Sequence, residues 1–126
     1  MKASFAFIVA CVLLVTPAAG ADVARVVIEG PEVEVGSGGQ YDGGRNPGCQ
    51  ARYQEVCVKP QHGGKLVAGT GKARIKIQNG RTGTQKSKTD TPDEFCLVFW
   101  ANTGACEIPA FVRGTVVATE EYQKAQ

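Results

Sequence analysis

Histidine is almost missing from this chain: His62, in Gln61-His62-Gly63-Gly64, is the only one. A nucleophile–histidine dyad or triad would have to be built on that imidazole, and no serine or free cysteine stands near it in sequence. Copper–zinc chemistry needs several imidazoles and is excluded with it. Cys-x-x-Cys pairs are absent, so the cysteines do not read as zinc ligands. The glycine-rich stretch 36–48 lacks the Gly-Lys-Ser/Thr ending of a phosphate loop, and no helix follows it. Asp90, Asp93 and Glu94 cluster around Pro92, and Asp42 sits among glycines. Their spacing fits no calcium loop and reads as turn chemistry. The chain is therefore predicted to be non-catalytic, with no metal and no cofactor. An amphipathic helical period is also missing, which excludes an α-helical domain.

The long apolar run at the N-terminus is short for a membrane span. Lys2 is followed by apolar residues from Ala3 to Val15, a Thr16-Pro17 break and small residues up to Ala21. That layout is a secretory signal peptide over residues 1–21, with cleavage before Asp22. About 20 apolar residues would be needed to span a bilayer, so no transmembrane anchor is predicted. Ile8-Val9-Ala10-Cys11 has the form of a lipobox. The apolar run continues past Cys11, however, and that residue reads as part of the signal. A single domain, 22–126, remains. Losing Lys2 and no acid leaves it a net charge of +1. The predicted location is secreted or periplasmic.

Cys49, Cys57, Cys96 and Cys106 remain in that domain. An even count in an exported chain reads as two disulfides, and three pairings are open. Cys49 and Cys57 bracket one strand-like run; Cys96 and Cys106 bracket another run and its turn. Antiparallel runs of that spacing favour the nested pairing, Cys57 with Cys96 and Cys49 with Cys106. A Cys49–Cys57 bridge would forbid a strand between them, because eight strand residues span about 26 Å.

What is present is strand material. Phe95-Cys96-Leu97-Val98-Phe99-Trp100-Ala101 is apolar throughout, of strand length, and holds the only tryptophan. Such a run suits a central strand covered on both faces. Other strands are read at Ala24–Glu29, Glu32–Val35, Ala51–Val58, Leu66–Ala68, Lys72–Gln78, Thr82–Thr91 and Phe111–Thr119, with Glu120–Gln126 as a polar tail. Tyr53, Glu55 and Cys57 share one face of the third run. Asn79-Gly80 is the strongest hairpin signal. Seven or eight short strands with close turn signals predict an all-β fold, a small antiparallel β-sandwich of immunoglobulin-like or jelly-roll-like form. A small barrel is the alternative.

Function is read from charge distribution. From Val56 to Thr89 there are eight Lys and Arg and not one Asp or Glu. Alternation puts Lys72, Arg74 and Lys76 on one face, with Ala73, Ile75 and Ile77 on the other. A hairpin register pairing even-numbered residues adds Lys86 and Lys88 to the same outer face. That face would bind an anionic polysaccharide or a protein surface. It would equally keep an exposed sheet edge from aggregating. No aromatic residue interleaves with these cations, which argues against nucleic acid. Tyr41 and Arg45 are the adhesive side chains of the glycine-rich loop. The expected function is a binding module. Alternatives are a small inhibitor of an extracellular enzyme and a structural or assembly subunit.

Overall fold

The computed structural model describes residues 22–42 and 50–124. The predicted leader, Arg45 and Cys49 lie outside them. Among the described residues the chain forms β1 (Val23–Glu29), β2 (Val33–Ser37), a 3-10 turn (Gly39–Asp42), β3 (Arg52–Val58), β4 (Lys65–Leu66), β5 (Lys72–Asn79), β6 (Thr82–Thr91), β7 (Glu94–Ala101) and β8 (Ala110–Gln123). No helix among these residues is long and apolar enough to cross a membrane. The all-β expectation holds, as two antiparallel sheets.

The larger sheet is built on β8. Along one edge β8 pairs with β1 and then β2; along the other it pairs with β4 and β5. Between β1 and β2 the chain stays attached through the Gly30 N–H, which donates to the Val116 carbonyl at 2.8 Å. The smaller sheet has the order β3-β7-β6. Alternation along β7 sends Leu97, Phe99 and Ala101 inward. They meet Val56 and Val58 of β3 and, from the larger sheet, Ile28, Val35, Leu66, Val112, Val116 and Ala118 in one core. Phe99 is fully buried, and burial of such a ring contributes roughly 2–3 kcal/mol.

Three strand expectations need correction. Asn79-Gly80 makes a turn, with Gly80 at φ 76°, but β5 and β6 do not form a hairpin. β5 pairs with β8 and β6 with β7, so the turn carries the chain from one sheet to the other. It is pinned to the start of β8: the Asn79 amide donates to the Pro109 carbonyl at 3.1 Å, and a Cβ on Gly80 would stand 3.0 Å from the Ala110 side chain. Second, the alternation of β5 breaks at a bulge between Ile75 and Ile77, which brings Ile77 opposite Arg113 on the outer face. Ile75 and Ile77 are exposed at 38% and 43% instead of packed inward. β5 passes β8 at Gly114 there, where a Cβ would meet the Arg74 carbonyl oxygen at 2.4 Å. Third, β8 runs on to Gln123, so Glu120–Gln123 of the expected polar tail is strand.

Cys57 and Cys96 are bonded, with Cα atoms 4.0 Å apart. They stand directly opposite each other on adjacent strands of the smaller sheet, in register with Val56↔Leu97 and Val58↔Phe95. The Cys49–Cys106 expectation rests on Cys49, outside the described residues.

Candidate functional site: the outer face of the smaller sheet

Residues paired across a sheet point to the same side. Outward from the core, the smaller sheet therefore carries two full rows: Tyr53–Trp100–Gly83 and Glu55–Val98–Gln85. The Cys57–Cys96 bridge closes the face at one end. Glu55 accepts a hydrogen bond from the Ser87 hydroxyl, which places Ser87 on the same side.

The first row decides the character of the surface. Gly83 has no side chain, and the indole of Trp100 occupies that space. A Cβ on Gly83 would stand 2.7–3.0 Å from Cζ2, Cε2 and Nε1 of Trp100. The ring therefore lies across the glycine backbone, and Trp100 is half-buried. On its opposite flank stands Tyr53, 62% exposed. Two aromatic residues thus stand in register on one sheet face, with Glu55, Gln85 and Ser87 on the same face. No cation occupies the paired positions of this face.

The predicted basic face is not assembled. Lys72, Arg74 and Lys76 lie on β5 in the larger sheet; Lys86 and Lys88 lie on β6 in the smaller one. Arg74 is ion-paired with Glu29, and Lys76 meets Glu32 at 2.9 Å. Lys76 holds the Glu32 carboxyl below the usual carboxylate range through that bond. Arg113 lies 3.8 Å from both Glu32 and Glu34, and Arg25 lies 3.5 Å from Glu121. Within the stretch that lacks acids, Arg74 and Lys76 are answered by acids of β1 and of the segment joining it to β2, and Lys59 lies 4.0 Å from Glu94 of β7. Lys86 shares register with inward-facing Leu97, beside a bulge that runs to Asp90. Its place on an edge strand lets the long stem carry the ammonium out to water. Lys72, Lys86 and Lys88 have no carboxylate partner among the described residues.

Tyr41 is also placed differently. It folds back over Gly36, where a Cβ would stand 2.4 Å from the ring, and lies 6.2 Å from the Phe111 ring. Its hydroxyl donates to the Glu34 carboxylate. Burial, and then that carboxylate, pushes its pKa up to about 12. It is a clamp on the larger sheet, not a projecting contact. Around Pro92 the turn reading fits: Thr91 Oγ1 accepts from the N–H groups of Asp93 and Glu94, and Asp93 pairs with Lys65 at 2.6 Å.

A second cluster was not legible in sequence. Glu120 is fully buried, 0% exposed. Its carboxylate accepts from the backbone N–H groups of Gln61, His62 and Gly64 at 2.7–2.9 Å and lies 3.0 Å from His62 Nδ1. Burial alone would raise its pKa. The His62 bond and the three backbone donors outweigh that and hold it down at about 2. The His62 ring stacks on Tyr122, with centroids 4.7 Å apart. This histidine is therefore a structural partner that anchors the 61–64 turn to β8, and among the described residues no serine or cysteine is bonded to it. Glu55, Cys57 and Cys96 cluster closely enough to hold a metal. Both sulfurs are consumed in the disulfide, which leaves one carboxylate and no site.

The chain matches no protein-family model, no curated protein and no solved structure. Its chemistry must be read from its own surfaces, and the smaller sheet sets Tyr53 and Trp100 in register on one outer face.

Proposed function

We propose that this chain is a secreted or periplasmic, non-catalytic binding module that docks a glycan on the outer face of its smaller sheet. The observation that carries this reading is the Trp100 indole bedded on Gly83 beside exposed Tyr53. Flat aromatic rings suit the apolar side of a pyranose, whose C–H groups stack on a π-face while its hydroxyls stay free to bond. Glu55, Gln85 and Ser87 supply acceptors and donors at the rim of that platform. A protein–protein interface also gathers Tyr and Trp and sheds charge at its centre, so what favours a glycan here is the polar set Glu55, Gln85 and Ser87 next to the rings. A nucleic-acid surface would line its path with cations, because phosphate contacts dominate such affinity. Here Glu55 is the one charged group in the paired rows. The reading takes residues 1–21 as a removed leader and Cys49–Cys106 as the second staple of a sandwich. Immunoglobulin-like and jelly-roll-like frames both offer open sheet faces of this kind.

Screening the exported protein against an oligosaccharide panel, followed by calorimetry on the best binder, tests the proposal. Trp100→Ala should weaken binding about 30-fold, the effect of losing a central aromatic anchor worth about 2 kcal/mol. Tyr53→Ala should follow the same direction with a smaller effect. Full affinity in the double variant would refute the docking face.

A further inference from the structure

The aromatic row ends beside a cleft of about 410 Å³, bordered by Asn79, Gly80, Arg81, Asn102, Thr103 and Ile108. Arg81 and Asn102 stand two residues beyond Gly83 and Trp100, just past the ends of β6 and β7. The ladder continues one rung to reach them, because the Asn102 N–H donates to the Arg81 carbonyl at 2.9 Å. Two strand residues span about 6.6 Å, close to the length of one sugar ring. A saccharide stacked on Trp100 would therefore bring its next unit to this cleft.

Arg81 is the one charged residue bordering the cleft among the described residues. It is exposed, and it differs from the other described arginines. Arg25, Arg74 and Arg113 each face a carboxylate, and Arg52 is also engaged. The Arg81 guanidinium has no ion pair or hydrogen bond among the described residues. The walls around it are fixed in advance. Thr103 Oγ1 donates to the Ile108 carbonyl at 2.7 Å, the Asn79 amide holds Pro109, and Gly80 packs on Ala110. A cation on a rigid rim with no internal partner is arranged for an external anion. The planar guanidinium fork matches a carboxylate in two parallel hydrogen bonds.

We infer that the glycan taken by this face is acidic: a sugar carboxylate sits on Arg81 while the neighbouring ring stacks on Trp100. This rests on the proposed glycan-binding role and names its ligand class. It also moves the anion contact away from Lys72, Arg74 and Lys76, of which Arg74 and Lys76 already face Glu29 and Glu32.

The test uses three probes with the full exported chain: an oligouronide, the same oligomer with its carboxyls reduced to alcohols, and a neutral-backbone oligosaccharide bearing sulfates. The oligouronide should bind about tenfold more tightly than its reduced form, the value of one hydrogen-bonded charge pair. Arg81→Gln should erase that preference and leave the weaker neutral binding intact. Trp100→Ala should weaken both. Arg81 is exposed, so its replacement should leave the melting temperature unchanged. Equal binding of uronide and reduced oligomer would overturn the carboxylate assignment while leaving the docking face standing. Tighter binding of the sulfated probe would overturn it in favour of sulfate. No binding of any of the three would overturn the docking face together with this inference.

Discussion

The two sheets turn opposite kinds of surface to solvent. The larger sheet's outer face is dense in charge, and its charges answer one another: Arg74 with Glu29, Lys76 and Arg113 with Glu32, Arg113 with Glu34, Arg25 with Glu121. Tyr41 lies across it and fills the space over Gly36. The smaller sheet's outer face has little charge and carries an exposed tyrosine in register with a half-buried tryptophan. A count of cations along the strand points to the first face. Partner satisfaction points to the second. Exposed ion pairs contribute at most about 1 kcal/mol each, but they occupy the groups that an anionic ligand would need. A half-bedded indole occupies nothing except its glycine.

On the proposed reading the larger sheet is scaffold and the smaller sheet display, and that division can be broken in order of effect. The largest effect should come from Glu120, which ties the 61–64 turn to β8. Glu120→Ala leaves three backbone donors and an imidazole without their acceptor. It should lower stability by about 3 kcal/mol, the scale for orphaned buried donors, read as a shift in denaturant midpoint. Glycan affinity of the folded fraction should not change.

The same group gives a pH signature. Its folded pKa of about 2 lies below the ordinary 4.5, so the ionised form is the one stabilised by folding. That stabilisation is complete above about pH 4.5 and is lost as pH falls toward 2. Wild type should lose stability across that window, and Glu120→Gln should start lower and lose less. Equal slopes for the two proteins would remove Glu120 from the acid transition.

The smallest effect should come from the cations of β5. Reversing Lys72, Arg74 and Lys76 to Glu should change oligosaccharide affinity less than threefold, about 0.6 kcal/mol. The triple variant should be less stable, because Glu29 and Glu32 then face like charges. A tenfold loss of binding would restore the larger sheet as a docking face and sink the division of labour between the two.

Much of the frame was legible in sequence. Alternation in Glu32–Val35 and the unbroken apolar run of β7 locate strands, because a strand's faces are decided by its own residues. Cys57 with Cys96 was readable from antiparallel spacing. That pairing also held the site: four residues back from Cys57 is Tyr53, four residues on from Cys96 is Trp100, and antiparallel register sets them side by side. Following the register outward from the disulfide would have found the platform.

Other features depend on distant partners. Asn79-Gly80 fixes a turn, but whether its two strands pair with each other depends on what β8 and β7 offer. The burial of Glu120 comes from donors 56 to 59 residues away, and nothing in Thr119-Glu120-Glu121 marks one glutamate as core. The bulge between Ile75 and Ile77 adjoins the close pass of β5 at Gly114, which no local pattern records.

Trp100 is the only tryptophan in the chain, so its fluorescence reports on the proposed docking face alone. Titrating the exported protein with the oligouronide should shift the emission to shorter wavelength as the outward side of the indole loses water. The shift should saturate with the same midpoint that calorimetry gives. A saturating calorimetric titration with unchanged tryptophan emission would place the ligand elsewhere and contradict the account.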